Sequence, residues 1–330
     1  MTRSKTFTVA LIVVLILLAA SAWLMFGRTA AGMSYPDADK YTVGEATVNG
    51  AVDNLSVDWT SGEVNIEYHK GDGVVISETS AKALSEDDRL RWWLDGTTLR
   101  VRYAKSGFRI SFNLEKKLTV SLPEGTVLKS ADISATSGDL KIPRLAADEI
   151  RLGSTSGNIT AVTEAGKLAA ASTSGDVDVR QAGDIDAIDL HSTSGSIACE
   201  LVNVKKLTAD STSGGVRVTV TGAAGTLKIG STSGNIYPEI ASADKVEASS
   251  TSGSVSGSVN AAEMKIGSTS GDITLKLPAE PGFTLKAGTA SGSFSSDLPL
   301  SKNKDSYTCG DGSASFSVST TSGNIRILAR

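Results

Sequence analysis

The side chains that commonly act in acid–base or nucleophilic catalysis are few in this chain and lie far apart. Its two histidines are His69 and His191, and neither has a partner at the spacing of a catalytic pair. His191 occupies an outward position that varies between repeats, so we expect a solvated surface side chain there. We predict no catalytic residue.

Carboxylates are the remaining candidates, because some β-helical lyases and hydrolases act on polysaccharides through carboxylates clustered on one face. Four of them cluster in one repeat: Asp176, Asp178, Asp184 and Asp186. Asp184 and Asp186 alternate with the apolar Ile185 and Ala187, which is the pattern of a solvated strand face. A polysaccharide-acting enzyme is therefore the alternative, and a protein that is not an enzyme is the leading prediction.

Neither the cysteines nor the acidic residues predict a metal site. Cys199 and Cys309 are several repeats apart, too far for a disulfide, so we expect two small buried side chains. The Gly-Asp steps do not form the short aspartate repeat of a calcium-filled β-roll. We predict no metal and no cofactor.

Anion binding is suggested by the segment from Arg89 to Lys117. It contains eight cations and two acidic residues, a local charge of +6, next to a pair of tryptophans. Such a segment could contact anionic lipid head groups or wall polymers, although a solvated strand face with its tryptophans partly in the core is the simpler interpretation. The residues of this predicted basic surface are Arg89, Arg91, Trp92, Trp93, Arg100, Arg102, Lys105 and Arg109.

A repeated tetrapeptide indicates which elements position these residues. Ser-Thr-Ser-Gly, or a close variant, recurs with a nearly constant period between Gly138 and Gly292. A fixed period of about 19 residues is the signature of a solenoid. The glycines that we assign to the repeat turns are Gly138, Gly157, Gly175, Gly195, Gly214, Gly234, Gly253, Gly271, Gly292 and Gly323. Gly62 precedes Gly138 by a distance that equals four periods, so we interpret the intervening segment as degenerate coils and a cap.

Each repeat reads as short strands with one apolar face. Ile or Val alternates with polar residues after the glycine, and a second alternating run leads back to the next Ser-Thr-Ser. Counting by twos from Ile229 places Ser231 and Ser233 inward and Thr232 outward. We expect the glycine to supply either a positive φ or a close approach that a Cβ would block. The outward threonines do not form the paired columns of an ice-binding face, whereas carbohydrate binding stays open.

The first part of the chain predicts export. Two cations precede an uncharged, mostly apolar stretch from Thr6 to Gly27, which is long enough to cross a bilayer, and Arg28 follows it. The charge bias places the N-terminus in the cytoplasm and the remainder outside. A cleaved signal peptide is the alternative, because Ala20-Ser21-Ala22 fits a cleavage site.

The predicted fold class is therefore all-β, a parallel β-solenoid (β-helix) of about 19-residue coils preceded by one transmembrane helix. The predicted divisions are a cytoplasmic head (1–5), a transmembrane anchor (6–27), a linker (28–45), an irregular β cap with degenerate coils (46–130) and regular repeats (131–330). The net charge of −4 does not predict nucleic-acid binding.

The head, the single span and the coils with Ser-Gly-Asp-Leu at 137–140 or Ser-Gly-Asn-Ile at 156–159 and 322–325 resemble the bacterial "putative adhesin" family of unknown function. The resemblance implies a membrane-anchored protein associated with the cell envelope and brings no catalytic residues with it. We predict a binding or display module on the outer face of the cytoplasmic membrane, either adhesin-like or a scaffold. Its partners would be that membrane and a wall polymer, an anionic lipid or another envelope protein. An accessory of a membrane-stress sensing system is a further alternative.

Overall fold

The computed structural model of the protein describes residues 35–107, 114, 116–280 and 282–330. The predicted anchor from Thr6 to Gly27 and the predicted binding residue Arg109 lie outside these residues. Among the described residues, no helix is long and apolar enough to cross a membrane. The regular structure there consists of strands and two 3-10 turns, Ala38–Lys40 and Glu86–Asp88.

The strands fall into three groups along the chain. The N-terminal strands are β1 (Thr42–Val43), β2 (Ala46–Val48), β3 (Asn54–His69), β4 (Val74–Thr79), β5 (Arg91–Asp95), β6 (Thr98–Arg102) and β7 (Lys116–Pro123). The central strands are β8 (Leu128–Ser154), β9 (Ile159–Ser172), β10 (Val177–Gln181), β11 (Ile185–Ser192), β12 (Ile197–Leu201), β13 (Val204–Ser211), β14 (Val216–Ser231), β15 (Ile236–Ser250), β16 (Val255–Ser268) and β17 (Ile273–Leu277). The C-terminal strands are β18 (Phe283–Ser291), β19 (Phe294–Ser296), β20 (Ser301–Asn303), β21 (Ser306–Cys309), β22 (Ala314–Ser322) and β23 (Ile325–Ala329).

The central strands stack in parallel, coil upon coil, as the all-β solenoid prediction requires. Val177 pairs with Ile159 on one side and with Ile197 on the other, and the same register continues along the rod. The apolar residues of these positions are fully or almost fully buried. A single coil is too short to bury its own Ile and Val, so each coil depends on its neighbours for its core.

A ladder of serine hydroxyls joins successive coils inside the rod. The Ser231 hydroxyl donates to the carbonyl oxygen of Gly214 in the preceding coil (3.0 Å) and accepts from the N–H of Gly234 in its own coil (2.8 Å). The same two hydrogen bonds recur at Ser154, Ser172, Ser192, Ser211, Ser250 and Ser268. Only the first serine of the tetrapeptide points inward. The prediction that Ser233 lies inward as well is wrong, because the chain turns the corner there and leaves this side chain exposed.

The glycine of the tetrapeptide is required for a close approach. A Cβ on Gly234 would lie less than 3.0 Å from the carbonyl oxygen of Gly214, which is nearer than real Cβ atoms come. Among the repeat glycines, which stack on one another along the rod, only Gly62 has a positive φ. A positive φ, the other reason that we expected for a glycine, therefore does not apply to the remaining ones. Backbone contact between coils therefore selects the glycine.

Outside the corner, the residues that follow most of these glycines form a second ladder, which is interrupted at Gly215. The side chain of Asp139 accepts a hydrogen bond from the N–H of Asn158 (2.8 Å), and Asn158 accepts one from the N–H of Asp176 (2.9 Å). These side chains thus satisfy a backbone donor of the next coil, which Asn and Asp side chains are well suited to do.

At the N-terminal end of the rod, the order of coils differs from the order of the sequence. β3 lies between β8 on one side and β6 with β7 on the other, and all these pairings are parallel. Gly62 consequently pairs with Gly138 directly, although the whole segment that includes β4 to β7 separates them in the sequence. The segment that we interpret as degenerate coils and a cap contains one parallel coil, formed by β6 and β7, together with antiparallel strands.

The C-terminal end repeats this arrangement. β22 pairs with β16 on one side and with β18 on the other, and β23 lies in the same way between β17 and β19. The last coil of the sequence is therefore the last but one in space, and the coil before it closes the rod. The step from Gly271 to Gly292, which we counted as a repeat, is not a step between neighbouring coils.

A buried ion pair fills the N-terminal end of the core. The Lys116 ammonium lies 2.7 Å from the Glu78 carboxylate, and both side chains are almost completely buried. The ammonium also donates to the carbonyl oxygens of Asp88 (2.6 Å) and Tyr103. Trp59 takes the place of the ladder serine here, since its indole N–H donates to the Lys116 carbonyl oxygen (3.3 Å). Burial lowers the pKa of Lys116, and the neighbouring Glu78 opposes that shift.

Candidate binding surfaces

The described residues of the predicted basic surface lie on and beside the antiparallel pair β5 and β6. Trp93 is paired with Arg100 and Arg91 with Arg102. Arg89 precedes β5 and is exposed, and Lys105 follows β6 and is exposed. The structure thus brings these residues to one region of the N-terminal end.

Acidic residues neutralise much of the charge of this surface. Arg100 pairs with Asp95 (3.1 Å), Arg102 with Asp58 and Lys105 with Asp87 (3.1 Å). Asp58 and Asp87 lie outside the segment whose charge suggested anion binding. Its excess of six positive charges therefore does not describe the folded surface.

An aromatic cluster that the sequence interpretation missed lies on the same surface. The Trp93 ring contacts the Tyr41 ring edge-on at 5.7 Å between centroids, and Tyr41 contacts Tyr35 at 4.9 Å. The Lys40 ammonium lies 4.9 Å from the Trp93 ring centroid, a cation–π contact. Two tyrosines so soon after an apolar stretch were the available signal, since aromatic residues are enriched at membrane interfaces.

The linker is fixed to the rod through this cluster. The Tyr35 hydroxyl donates to the carbonyl oxygen of Ala104 (3.0 Å), and its backbone N–H donates to the Ser106 hydroxyl (3.0 Å). β1 then continues the sheet by pairing with β5. The chain from Tyr35 onward is therefore part of the folded N-terminal end.

Trp92 contributes to the core rather than to a surface contact. Its side chain packs partly buried against the hydrophobic core, whereas the neighbouring Trp93 takes part in the aromatic cluster. The alternation of a strand separates the two tryptophans onto opposite faces. Of this pair, only Trp93 belongs to the aromatic cluster.

A histidine and two carboxylates form a cluster halfway along the rod. His191 lies 2.8 Å from the Asp189 carboxylate, and Asp210 is paired with it on the next strand. Burial alone would lower the pKa of His191, but the hydrogen bond to Asp189 and the charges of both carboxylates raise it. Burial raises the pKa of Asp210, against the effect of His191. The expectation that His191 is a solvated surface residue is wrong, because its side chain is only 18% exposed.

Three of the four carboxylates that suggested an enzyme are engaged in surface contacts. Asp186 pairs with Lys205 (2.7 Å), and Asp184 accepts a hydrogen bond from the Asn203 amide (2.7 Å). Asp176 belongs to the ladder outside the corner, where it accepts from the N–H of Ser196 (2.7 Å). Each of these contacts joins one coil to the next, which is a structural role.

The predicted repeat glycines form one column along a corner of the rod. In space the column runs through Gly62, Gly138, Gly157, Gly175, Gly195, Gly214, Gly234, Gly253, Gly271, Gly323 and Gly292, each placed against the glycine before it. Beside it, the third residue of the tetrapeptide, such as Ser233, is exposed, and the second, such as Thr232, is exposed or partly exposed. The corner therefore presents a regular edge of hydroxyl groups to solvent.

A rod of stacked Ser-Gly coils with closed ends defines the class of protein. The chain belongs to the Toastrack DUF4097 family, whose model matches residues 52–265 and 256–328. The resemblance that the Ser-Gly coils indicated is thereby confirmed. No curated protein matches the chain.

Solved structures of similar chains come from several bacteria. A "putative adhesin" of Bacteroides fragilis is 15% identical over 87% of this chain and 97% of its own, with a TM-score of 0.31. A "putative lipid binding protein" of Parabacteroides distasonis is 16% identical over 87% and 96%, with a TM-score of 0.38. A "putative cell adhesion protein" of Clostridium sporogenes is 12% identical over 88% and 99%, with a TM-score of 0.21. Because these TM-scores are low, the assignment of the chain to a family rests on the family match alone.

Proposed function

We propose that the protein is a membrane-anchored rod on the outer face of the cytoplasmic membrane, which binds or displays and does not catalyse. Its role would be that of an adhesin-like or envelope-scaffold module. The observation that carries this proposal is the attachment of the linker at Tyr35 to the N-terminal end of the rod. The chain from Gly27 to Tyr35 is short and can span at most about 28 Å. The anchor would hold this end near the bilayer.

The rod geometry supports display away from the membrane. Eleven glycines stack in the corner column, so the column extends roughly 50 Å at about 4.8 Å per strand. Its far end is closed by β18 to β21, and the faces between the two ends are built from the same coil. Uniform faces suit a binding or scaffolding surface better than a single reaction centre.

Thiol labelling in intact cells tests the location. Cys199 and Cys309 are buried, and burial raises the pKa of the Cys199 thiol, so the native protein should react poorly with maleimides. A Ser233→Cys variant places a thiol on the exposed corner. We expect a membrane-impermeant maleimide to label it in intact cells. A matched Ser4→Cys variant in the predicted head should react only after lysis, and the reverse pattern would overturn the proposed orientation.

Co-sedimentation tests the binding role. The full chain in detergent micelles would be mixed with cell-wall sacculi, foreign cells or anionic vesicles, each at low and high salt. Salt-resistant retention on walls or cells is the expected result for an adhesin-like protein. Absence of binding to all three would overturn the adhesin-like role and leave a scaffold for protein partners.

The aromatic cluster favours a second candidate, an accessory that senses the membrane surface. Tyr35, Tyr41 and Trp93 gather aromatic rings and the Lys40 ammonium at the end nearest the predicted anchor. Such a group suits the lipid headgroup region, where aromatic rings are enriched. If so, Trp93→Ala should weaken vesicle binding, whereas Tyr237→Ala on a central coil should not. Equal binding by both variants would remove this candidate.

A further inference from the structure

A shallow cavity of about 170 Å³ lies on the face formed by β8, β9, β11 and β13. Its floor is made by Ile150, Leu168 and Ile188. The outward positions above this floor carry the short side chains Ala169 and Ala187. The strands on either side place Arg151 and Asp189 next to Ala169, and Lys167 and Lys206 next to Ala187. The cavity therefore exists because two consecutive coils have alanine where other coils have long side chains.

Two lysines stand at opposite ends of this cavity. Ala187 pairs with Lys167 on one neighbouring strand and with Lys206 on the other. Since adjacent strands are about 4.8 Å apart, the two lysine Cα atoms are roughly 10 Å apart. A group bound over Ala187 would lie between the two ammonium groups.

The other charges of the cavity are already compensated. Glu149 pairs with Arg151, and Asp189 pairs with His191. In the part of the chain that the structure describes, no ion pair engages Lys167 or Lys206. The cavity thus offers two ammonium groups outside any such ion pair, although the charge of Lys167 also acts on the nearby Asp186 carboxylate, and the side chain of Thr208 adds a hydroxyl at the cavity edge.

We propose that this cavity binds one anionic, hydroxyl-bearing unit of an envelope polymer, such as a glycerol phosphate, a sugar phosphate or a uronate. The lysines would hold the phosphate or carboxylate, and Thr208 and Asp189 would hydrogen-bond the hydroxyls. This assignment names a ligand class for the proposed binding rod and therefore rests on that proposed function.

The position of the cavity favours a polymer over a lipid headgroup. Gly175 and Gly195, which flank its central strand β11, are the fourth and fifth glycines of the column counted from Gly62. Three to four strand spacings separate the cavity from the coil of Gly62, and β6 and β5 lie beyond that coil, so the cavity is roughly 25 to 30 Å from the aromatic cluster. A wall polymer can extend along this face, whereas a bilayer touching the aromatic cluster would not reach it.

Ligand-observed NMR on the full chain in detergent micelles tests the assignment. The probes are glycerol 1-phosphate, glucuronate and, as the neutral probe, glucose. We expect the two anions to bind and glucose to bind much more weakly. Binding of all three with equal strength, or of none, would overturn the proposal.

Variants locate the binding to the cavity. Lys167→Ala with Lys206→Ala should reduce affinity for both anions on the order of tenfold, because two charge-assisted contacts are lost. Ala187→Leu should abolish binding by filling the cavity without altering a charge. Lys265→Ala removes an exposed lysine from the same face outside the cavity and should bind like the unaltered protein. Unchanged affinity in the double variant and in Ala187→Leu would show that the anions bind elsewhere.

A last comparison separates this inference from the proposed function. The double lysine variant should lose binding to sacculi that carry anionic polymer and keep any binding to phosphatidylglycerol vesicles. Loss of vesicle binding alone would assign the cavity to lipid and overturn the polymer assignment. If maleimide labelling finds the rod in the cytoplasm while the anions still bind, the proposed function and the envelope-polymer assignment fail, and only anion binding at the cavity stands.

Discussion

Gly323 lies between Gly271, which belongs to a much earlier coil, and Gly292, the successor of Gly271 in the sequence, which closes the column beyond it. A Cβ on Gly323 would clash with the Gly271 carbonyl oxygen, and the Thr320 hydroxyl donates to that same oxygen (3.0 Å). A Cβ on Gly292 would in turn clash with the carbonyl oxygen of Gly323. The last coil is therefore held on both sides, and the exposed edge of the rod belongs to an earlier part of the sequence.

Hydrogen exchange should reveal this order of coils. β22 is hydrogen-bonded to β16 and to β18, so its amides should exchange about as slowly as those of the central strand β15, although it lies near the chain end. The short strand β20 pairs only with β21 and is exposed, so it should exchange quickly. Exchange mass spectrometry of peptides from these three strands measures the difference. Rapid exchange throughout β22, as in a frayed terminus, would contradict the inserted coil.

The inner serine ladder should contribute measurably to stability. Ser231→Ala would leave the Gly214 carbonyl and the Gly234 N–H without the hydroxyl between them. Unpaired buried groups cost about 1–3 kcal/mol, so we expect the free energy of unfolding to fall by about that amount. Urea titration provides the measurement. Ser233→Ala, in the same turn but exposed, should change stability by less than about 0.5 kcal/mol, and equal losses in both variants would refute the ladder.

The close approach of the glycines predicts a larger loss of stability than removal of a ladder serine. In Gly234→Ala, the new methyl group would overlap the backbone of Gly214 and Gly215, so neighbouring coils would have to separate. We expect a loss of about 3 kcal/mol or more in the same titration. Gly183→Ala is the matched control, because no atom lies within 4 Å of its added Cβ. A mild effect at Gly234 would show that the coils tolerate a wider spacing.

The buried ion pair at the N-terminal end should respond to single and double substitution differently. Lys116→Met leaves the Glu78 carboxylate buried without its cation and should cost about 3–5 kcal/mol. Lys116→Met combined with Glu78→Leu removes both charges and should restore much of that loss. The surface pair Lys117–Glu63 provides the control, since Lys117→Met should cost less than about 1 kcal/mol. Additive losses in the double variant would contradict a buried, coupled pair.

The sequence predicts the coil much better than it predicts which coils are neighbours. The period, the buried Ile and Val columns and the close approach at the glycine all follow from residues within one repeat, such as Ser231, Gly234 and Ile236. The exchange of coil order at both ends does not follow, because every Ser-Gly coil offers the same hydrogen-bonding edge to any other. Gly62 and Gly323 therefore look like ordinary members of the series.

The candidate surfaces were less predictable for a related reason. A count of charges between Arg89 and Lys117 cannot include Asp58 and Asp87, which the fold places beside Arg102 and Lys105. The alanines that open the cavity become informative only when the register places Ala187 between Lys167 and Lys206. Both the net charge of the basic surface and the cavity therefore depend on contacts between coils, which the pattern within one coil does not contain.

The cluster of His191 with Asp189 and Asp210 should make stability depend on pH. The pKa of His191 is raised above its ordinary value of 6.5 in the folded protein, so its stabilising contribution is present below that pH. This contribution is lost as the pH rises through the folded pKa. The raised pKa of Asp210 also makes the free energy of unfolding fall as the pH rises, but that fall begins near pH 3.8, the ordinary pKa of an aspartate. We therefore expect the free energy of unfolding to fall as the pH is raised from about 6.5, the unperturbed pKa of histidine.

Urea titrations at a series of pH values test this expectation. His191→Gln should flatten the decline above about pH 6.5, and Asp189→Asn should weaken it because the hydrogen-bonded carboxylate is lost. His69→Gln is the control, since the side chain of His69 hydrogen-bonds the backbone groups of Gly71 and Gly73. It should keep the decline of the unaltered protein. If His191→Gln shows the same pH dependence as the unaltered protein, the decline comes from another group and the cluster has no influence on stability near neutral pH.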